Sequence, residues 1–291
     1  MKNSLAILFL ILTFSTASQA QQVDSVLYDL LFEDEELFSL IERAKKYHFL
    51  YTSVNYSNQT YFAGRDVGID QFNMSSQVTY IHSSGITAGI AGIYYSEFEP
   101  RLNTTIASIG YGKSFNKFRL RASFDKYFFA DIDSLEESSF GSSLTLGTSY
   151  RLKHLRSSFN FSFLLGSEPS TQATWDLTGY INLWNKGYQK KLRLEPRIAL
   201  LFGNESVLTT TSQSLGRGFF QTAQETETII EKYGLINTQL RLPLSLTYGN
   251  FDFEIGYNYN IPRSLDSEAS PLANTSYFNV SVGYLLDLGR K

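Results

Sequence analysis

Cysteine is absent from the 291 residues. A chain without thiols has no disulfides, no thiolate metal centre and no anchor of the N-terminal lipidated-cysteine kind. A long apolar run is missing too. The one sustained apolar stretch, Leu5–Phe14, is about half of the ~20 residues that a membrane-spanning helix needs. Positive charge is not in excess: 25 Lys and Arg stand against 28 Asp and Glu. No basic stripe is therefore available to displace counterions from phosphate, and nucleic acid is not an expected partner. Histidine is scarce, and His48, His82 and His154 form no recognisable ligand set. Neither a metal nor a cofactor is expected.

What is present begins with an export signal. Met1-Lys2-Asn3 precedes the apolar stretch, and Ser18-Gln19-Ala20 supplies a small-x-small exit, so cleavage is expected after Ala20. Residues 21–47 then read as an amphipathic periplasmic segment. Leu37, Phe38, Leu40, Ile41 and Ala44 recur at helical spacing. Asp34, Glu35 and Glu36 open this run and Arg43, Lys45 and Lys46 close it, complementing a helix dipole over 34–46. Such a helix caps the rim of a barrel, plugs its lumen, or docks a partner.

From residue 48 the period changes to two. In Phe251-Asp252-Phe253-Glu254-Ile255-Gly256-Tyr257-Asn258-Tyr259-Asn260-Ile261, large apolar or aromatic residues alternate with small, amidic or charged ones. Strict alternation puts the two classes on opposite faces of a strand. The pattern recurs about a dozen times in segments of ~10–13 residues, as expected of a membrane barrel with a lipid face outside and a wet face inside. Strands are predicted near 48–57, 71–82, 85–98, 102–114, 118–129, 138–151, 155–167, 171–183, 190–203, 233–248, 250–262 and 275–288. Pro196 falls within the ninth, where only a bulge or a non-bonding position tolerates it. Aromatic residues at 15% suit interfacial girdles. Mean hydropathy of −0.16 averages the two faces and discriminates nothing.

The connections support the count. Even-numbered ones are short (Ser83-Ser84, Phe115-Asn116-Lys117, Leu152-Lys153-His154, Asn185-Lys186-Gly187, Gly249-Asn250), and odd-numbered ones are mostly longer, 204–232 above all. Short turns face the periplasm, and an even strand number puts both termini there. The fold expected is all-β: an antiparallel up-and-down transmembrane barrel of twelve strands over 48–291. The last strand contains Gly283-Tyr284-Leu285-Leu286-Asp287-Leu288, a glycine followed by outward apolar residues at alternate positions, and continues through Gly289-Arg290-Lys291. On that motif and the strand plan, residues 48–291 resemble the small outer-membrane β-barrel proteins of bacteria. The resemblance implies residence in a Gram-negative outer membrane, contact with its lipid, and insertion by the barrel-assembly machinery. A periplasmic or surface protein partner stays an open alternative.

Chemistry is harder to find. His82-Ser83-Ser84 offers a base and a nucleophile of the kind outer-membrane lipid hydrolases use. Those enzymes carry an Asn or Glu twelve residues after the serine; here that position is Ser96, and the nearest carboxylate, Glu97, is one off and at the far end of the next strand. Asp131, Asp133, Glu136 and Glu137 cluster in an outside loop, without the glycine that an EF-hand calcium loop needs. The inward positions are more informative. They carry Arg119, Arg121, Arg156, Arg193, Arg197 and Arg241, and the acids Asp125, Asp176, Glu195, Asp252 and Glu254. Arg151 and Asp287 join the same face. An arginine ladder opposite an acidic wall reads either as a narrow channel for small polar or anionic solutes or as a mutually paired interior without flux, in a structural or partner-binding barrel. A membrane-embedded hydrolase is the third reading.

Overall fold

A computed structural model describes residues 48–289 apart from 67, 99–100, 131–140, 168, 187–189, 216–221 and 266–270. The expected signal, the helix over 34–46 and the acidic cluster at 131–137 lie outside the described residues. The strands are β1 (His48–Ser57), β2 (Asn73–His82), β3 (Ile86–Tyr95), β4 (Leu102–Phe115), β5 (Phe118–Phe129), β6 (Ser142–Arg151), β7 (Leu155–Leu165), β8 (Ser170–Gly179), β9 (Ile181–Asn185), β10 (Lys190–Leu194), β11 (Arg197–Leu215), β12 (Thr222–Tyr248), β13 (Phe251–Pro262) and β14 (Thr275–Asp287).

Each strand pairs antiparallel with its neighbours in the sheet, and β1 pairs with β14 from Phe49↔Asp287 to Ser57↔Asn279. That last ladder closes the sheet. β8 and β9 form one stave broken at Tyr180, and β10 and β11 form another broken at Glu195-Pro196, so the barrel has twelve staves. The break at Pro196 has a local cause. Gly179 N donates to Pro196 O at 2.8 Å, and Glu195 N donates to Pro243 O at 3.0 Å. Neither proline has an N–H to return, so one ladder bond is lost on each side of the stave.

Alternation sorts the side chains as expected. Val280, Val282, Phe278 and Leu286 of β14 are exposed on the outside, while Thr275, Asn279 and Gly283 face inward and are buried. Phe118, Leu120, Phe124 and Phe128 of β5 are likewise outward. Aromatic rings collect at both rims. Tyr56, Phe72 and Tyr94 adjoin at the end that carries the longer connections, and Phe251, Phe253 and Tyr284 at the end that carries the short turns. A continuous apolar girdle on a closed sheet, with no free edge through its middle, is a surface built for hydrocarbon.

The stretch 204–232 is not a loop through most of its length. β11 and β12 stay in register from Arg197↔Arg241 to Leu215↔Thr222, with one irregularity at Leu201/Phe202. The hairpin thus projects beyond the girdle at the end opposite the short turns.

Facing predicts two mutational outcomes. Ile255 is outward in the middle of β13, and Ser281 is inward, opposite Glu254. Ile255→Arg puts a charge in hydrocarbon and should cost about 2–4 kcal/mol. Ser281→Arg meets a carboxylate and should fold normally. Urea refolding followed by gel mobility measures both; equal stability of the two variants would mean the register is wrong.

Candidate functional site: the barrel interior

The eleven charged positions expected in the lumen are each buried or half-buried. Arginines dominate the wall made by β5 to β11. Arg151 and Arg156 stand directly opposite each other on β6 and β7. The guanidinium carbons of Arg151, Arg156 and Arg193 lie 5.6, 5.9 and 5.6 Å from the ring centre of Tyr180. A phenol face attracts each cation and offsets part of their mutual repulsion. Arg121 donates to Asn160 Oδ1 and runs across Gly147, where a Cβ would collide with its Nε.

Acids are placed among these cations selectively. Arg197 donates from Nε (2.9 Å) and Nη2 (2.7 Å) to Asp176 Oδ1, and both residues are almost fully buried. Arg193 pairs with Glu195 at 2.9 Å, two residues along the same face. Asp125 instead accepts from the hydroxyls of Ser123 and Ser143 at 3.4 Å each. On the opposite wall Arg241 reaches Glu254 at 3.9 Å, and Thr247 donates to Asp252 at 2.8 Å. Asn279 donates to Glu254 at 3.3 Å and accepts from Asn258 at 2.7 Å. Sequence pattern found the ion-pair members but not this amide layer. Asn237, Asn258, Asn260 and Asn279 are all buried inward positions.

The half of the interior away from the short turns is closed by packing. The connection from β1 to β2 folds into the mouth as a tight hairpin: Phe62 N donates to Arg65 O (3.0 Å) and Arg65 N to Phe62 O (2.9 Å). Ala63 and Gly64 both take positive φ, 51° and 78°, which gives the primed turn that suits a two-residue hairpin. Phe62 and Thr60 are 1% exposed. Thr275 Oγ1 donates to Gly64 O at 2.7 Å, and Asn73 Nδ2 to Thr60 Oγ1 at 2.9 Å. Arg65 binds Glu205 at 2.9 Å and the carbonyl of Arg263 at 2.7 Å. Burial, with Asp66 and Asp70 nearby, holds the Tyr61 phenol above its ordinary range, so it stays protonated. Across the mouth, Ile93, Tyr95, Ile106, Tyr127 and Leu164 form an apolar cluster with Phe98 and Phe129 packed on it.

Nothing in the strand pattern pointed to 58–72 as the closing element. The available signal was Tyr61-Phe62-Ala63-Gly64, an aromatic pair before a turn-former in an outside loop. Toward the short turns, Arg119, Arg151, Arg241, Asp252, Glu254, Ser281 and Asp287 keep partial exposure, while Arg156, Lys191 and Arg193 are buried and Tyr51 and Ile81 pack with Phe49 and Leu285.

The His82–Ser84 pair does meet, with Nδ1 and Oγ 2.7 Å apart, in an exposed turn. Ser84 N also donates to that Nδ1 at 3.1 Å, which marks the contact as turn geometry. Glu97 lies beyond the full length of β3, about 30 Å away. Among the described residues, no three His, Asp or Glu side chains gather as a metal site.

No protein-family model and no curated relative matches this sequence. Solved structures do. A KdgM porin is 9% identical with TM-score 0.45, over 81% of this chain and 98% of that one. A NanC porin is 11% identical with TM-score 0.44, over 81% and 98%. An outer-membrane channel from Pseudomonas putida F1 is 12% identical with TM-score 0.45, over 84% and 98%. These likenesses extend to overall architecture alone.

The Arg197–Asp176 pair sets a stability test. Arg197→Leu removes the guanidinium that donates twice to the buried Asp176 carboxylate and should cost about 3–5 kcal/mol. Combining it with Asp176→Leu removes both charges and should restore most of that loss in the same refolding assay.

Proposed function

We propose that this protein is a gated, narrow channel of a Gram-negative outer membrane, passing small polar or anionic solutes, with both termini periplasmic. The observation that carries the reading is the contrast between the two halves of the interior. Below the middle, Arg119 and Arg151 stand across from Asp252 and Glu254 with side chains still partly exposed, beside the buried Arg156 and Arg193. Above it, a loop hairpin fills the mouth through contacts that can break without unfolding a strand. Clustered guanidinium groups in a low-dielectric wall attract anions. Acids across the lumen narrow the path and set a transverse field.

A second reading, a non-conducting partner-binding barrel, is favoured by the buried amide layer and the Arg197–Asp176 pair, which tie the interior together. The hydrolase reading has little support, because the His82–Ser84 pair sits in a periplasmic turn far from Glu97.

Single-channel recording separates the first two. Wild type should show small, intermittent conductance. Gly64→Val, which cannot hold the positive φ and pushes against the Asn237 side chain, should raise the open probability. Replacing residues 59–71 with a short turn should leave the channel open. In that open form, Arg119→Glu with Arg151→Glu should reverse anion preference. Silence in the wild type and in both loop variants would leave the partner-binding reading.

A further inference from the structure

The outer surface carries a feature that a channel does not need. Where stave β10–β11 breaks, two adjacent outward positions are Gly179 and Pro196, among neighbours that are Leu, Ile and Tyr. They leave a lipid-facing groove of about 590 Å³, lined by Leu177, Gly179, Pro196, Ile198, Leu242 and Tyr257. The lost ladder bond at Pro196 lies along its floor. At the periplasmic foot of the same staves stand two exposed lysines. Lys190 Nζ lies 4.9 Å from the ring centre of Tyr248, and Lys186 Nζ lies 5.8 Å from that of Trp184.

We propose that this surface is a binding site for one anionic phospholipid of the periplasmic leaflet. The acyl chain fills the groove, and the phosphate sits between Lys186 and Lys190. The dimensions agree. Lys190 and Pro196 are six residues apart on one stave, ~20 Å along it at ~3.3 Å per residue. With a strand tilt of ~40° that becomes about 15 Å along the membrane normal, the reach of an acyl chain below its headgroup. The charges agree as well: the two ammonium groups are held at headgroup level by aromatic faces. The site is independent of whether the lumen conducts.

Both tryptophans of the chain, Trp175 and Trp184, lie on the β8–β9 stave. The test is quenching of their fluorescence in phosphatidylcholine vesicles carrying a small fraction of lipid with brominated acyl chains, normalised to unbrominated vesicles. Brominated phosphatidylglycerol should quench at about tenfold lower mole fraction than brominated phosphatidylcholine, the order expected from two interfacial lysines. Lys186→Glu with Lys190→Glu should abolish that preference. Gly179→Leu should weaken quenching by both lipids by filling the groove. A Cβ there meets Pro196 at 3.4 Å, an ordinary contact, so the barrel accommodates it. Equal quenching by the two lipids in wild type, or a preference that survives lysine reversal, overturns the proposal. An unchanged response in Gly179→Leu overturns the acyl half of it.

Discussion

Backbone hydrogen bonding in a medium without water governs this structure. Every N–H and C=O crossing hydrocarbon needs a partner within the protein, and a sheet satisfies that only if it has no edge. The β1–β14 ladder is therefore the contact on which everything else depends. It joins the first described strand to the last, and its nine-pair register fixes which of their residues face lipid. Once the cylinder closes, side-chain period converts directly into environment. A shift of one residue in any ladder would exchange Val282 for Gly283, or Phe124 for Asp125, between lipid and lumen.

The rule also shows where the barrel tolerates exceptions. Pro196 and Pro243 each forgo a donor, and they do so at neighbouring rungs on opposite sides of one stave. The strand assignment lapses there and the outer surface dips, yet the flanking pairs Leu194↔Leu244 and Arg197↔Arg241 hold the register. The interior manages its own liability, seven inward arginines, by three means: fork-like donation to Asp176, packing on Tyr180, and hydrogen bonds to amides. Charge brought into a low-dielectric space is tolerated when it is paired and hydrogen-bonded.

Much of this was legible in the sequence because a strand needs only a period of two to declare its faces. The alternation in Phe251–Ile261 located β13 to within a residue, and the same parity assigns the charged candidates to the face opposite the exposed apolar side chains. What parity does not carry is contact across the lumen. It places Arg197 inside but does not choose between Asp176 and Glu195 as its partner, since that depends on stagger between staves. The role of 58–72 was hidden for a related reason. A loop has no period, and Phe62 reads as an isolated apolar residue until a primed turn at Ala63-Gly64 aims it into the mouth. The amide layer was overlooked because asparagine on an inward face looks merely wet, whereas here it is packed and bonded.

Connection length decides where such a barrel can be closed. The short turns at Ser83-Ser84, Asn116-Lys117 and Gly249-Asn250 are used entirely in reversing the chain, and none can reach the lumen. The connection from Ser57 to Asn73 has enough residues to enter the mouth and return. Its entry requires inward partners at matching height on staves far from its origin. Glu205 on β11 and Thr275 on β14 provide them, one as an ion-pair acceptor and the other as a hydroxyl donor to a loop carbonyl. A closure made from a loop costs no ladder bond when it moves, whereas one made from strand residues would open an edge to lipid. Placing this element at the end opposite the short turns is thus a consequence of topology, since only the longer connections there can enter the mouth.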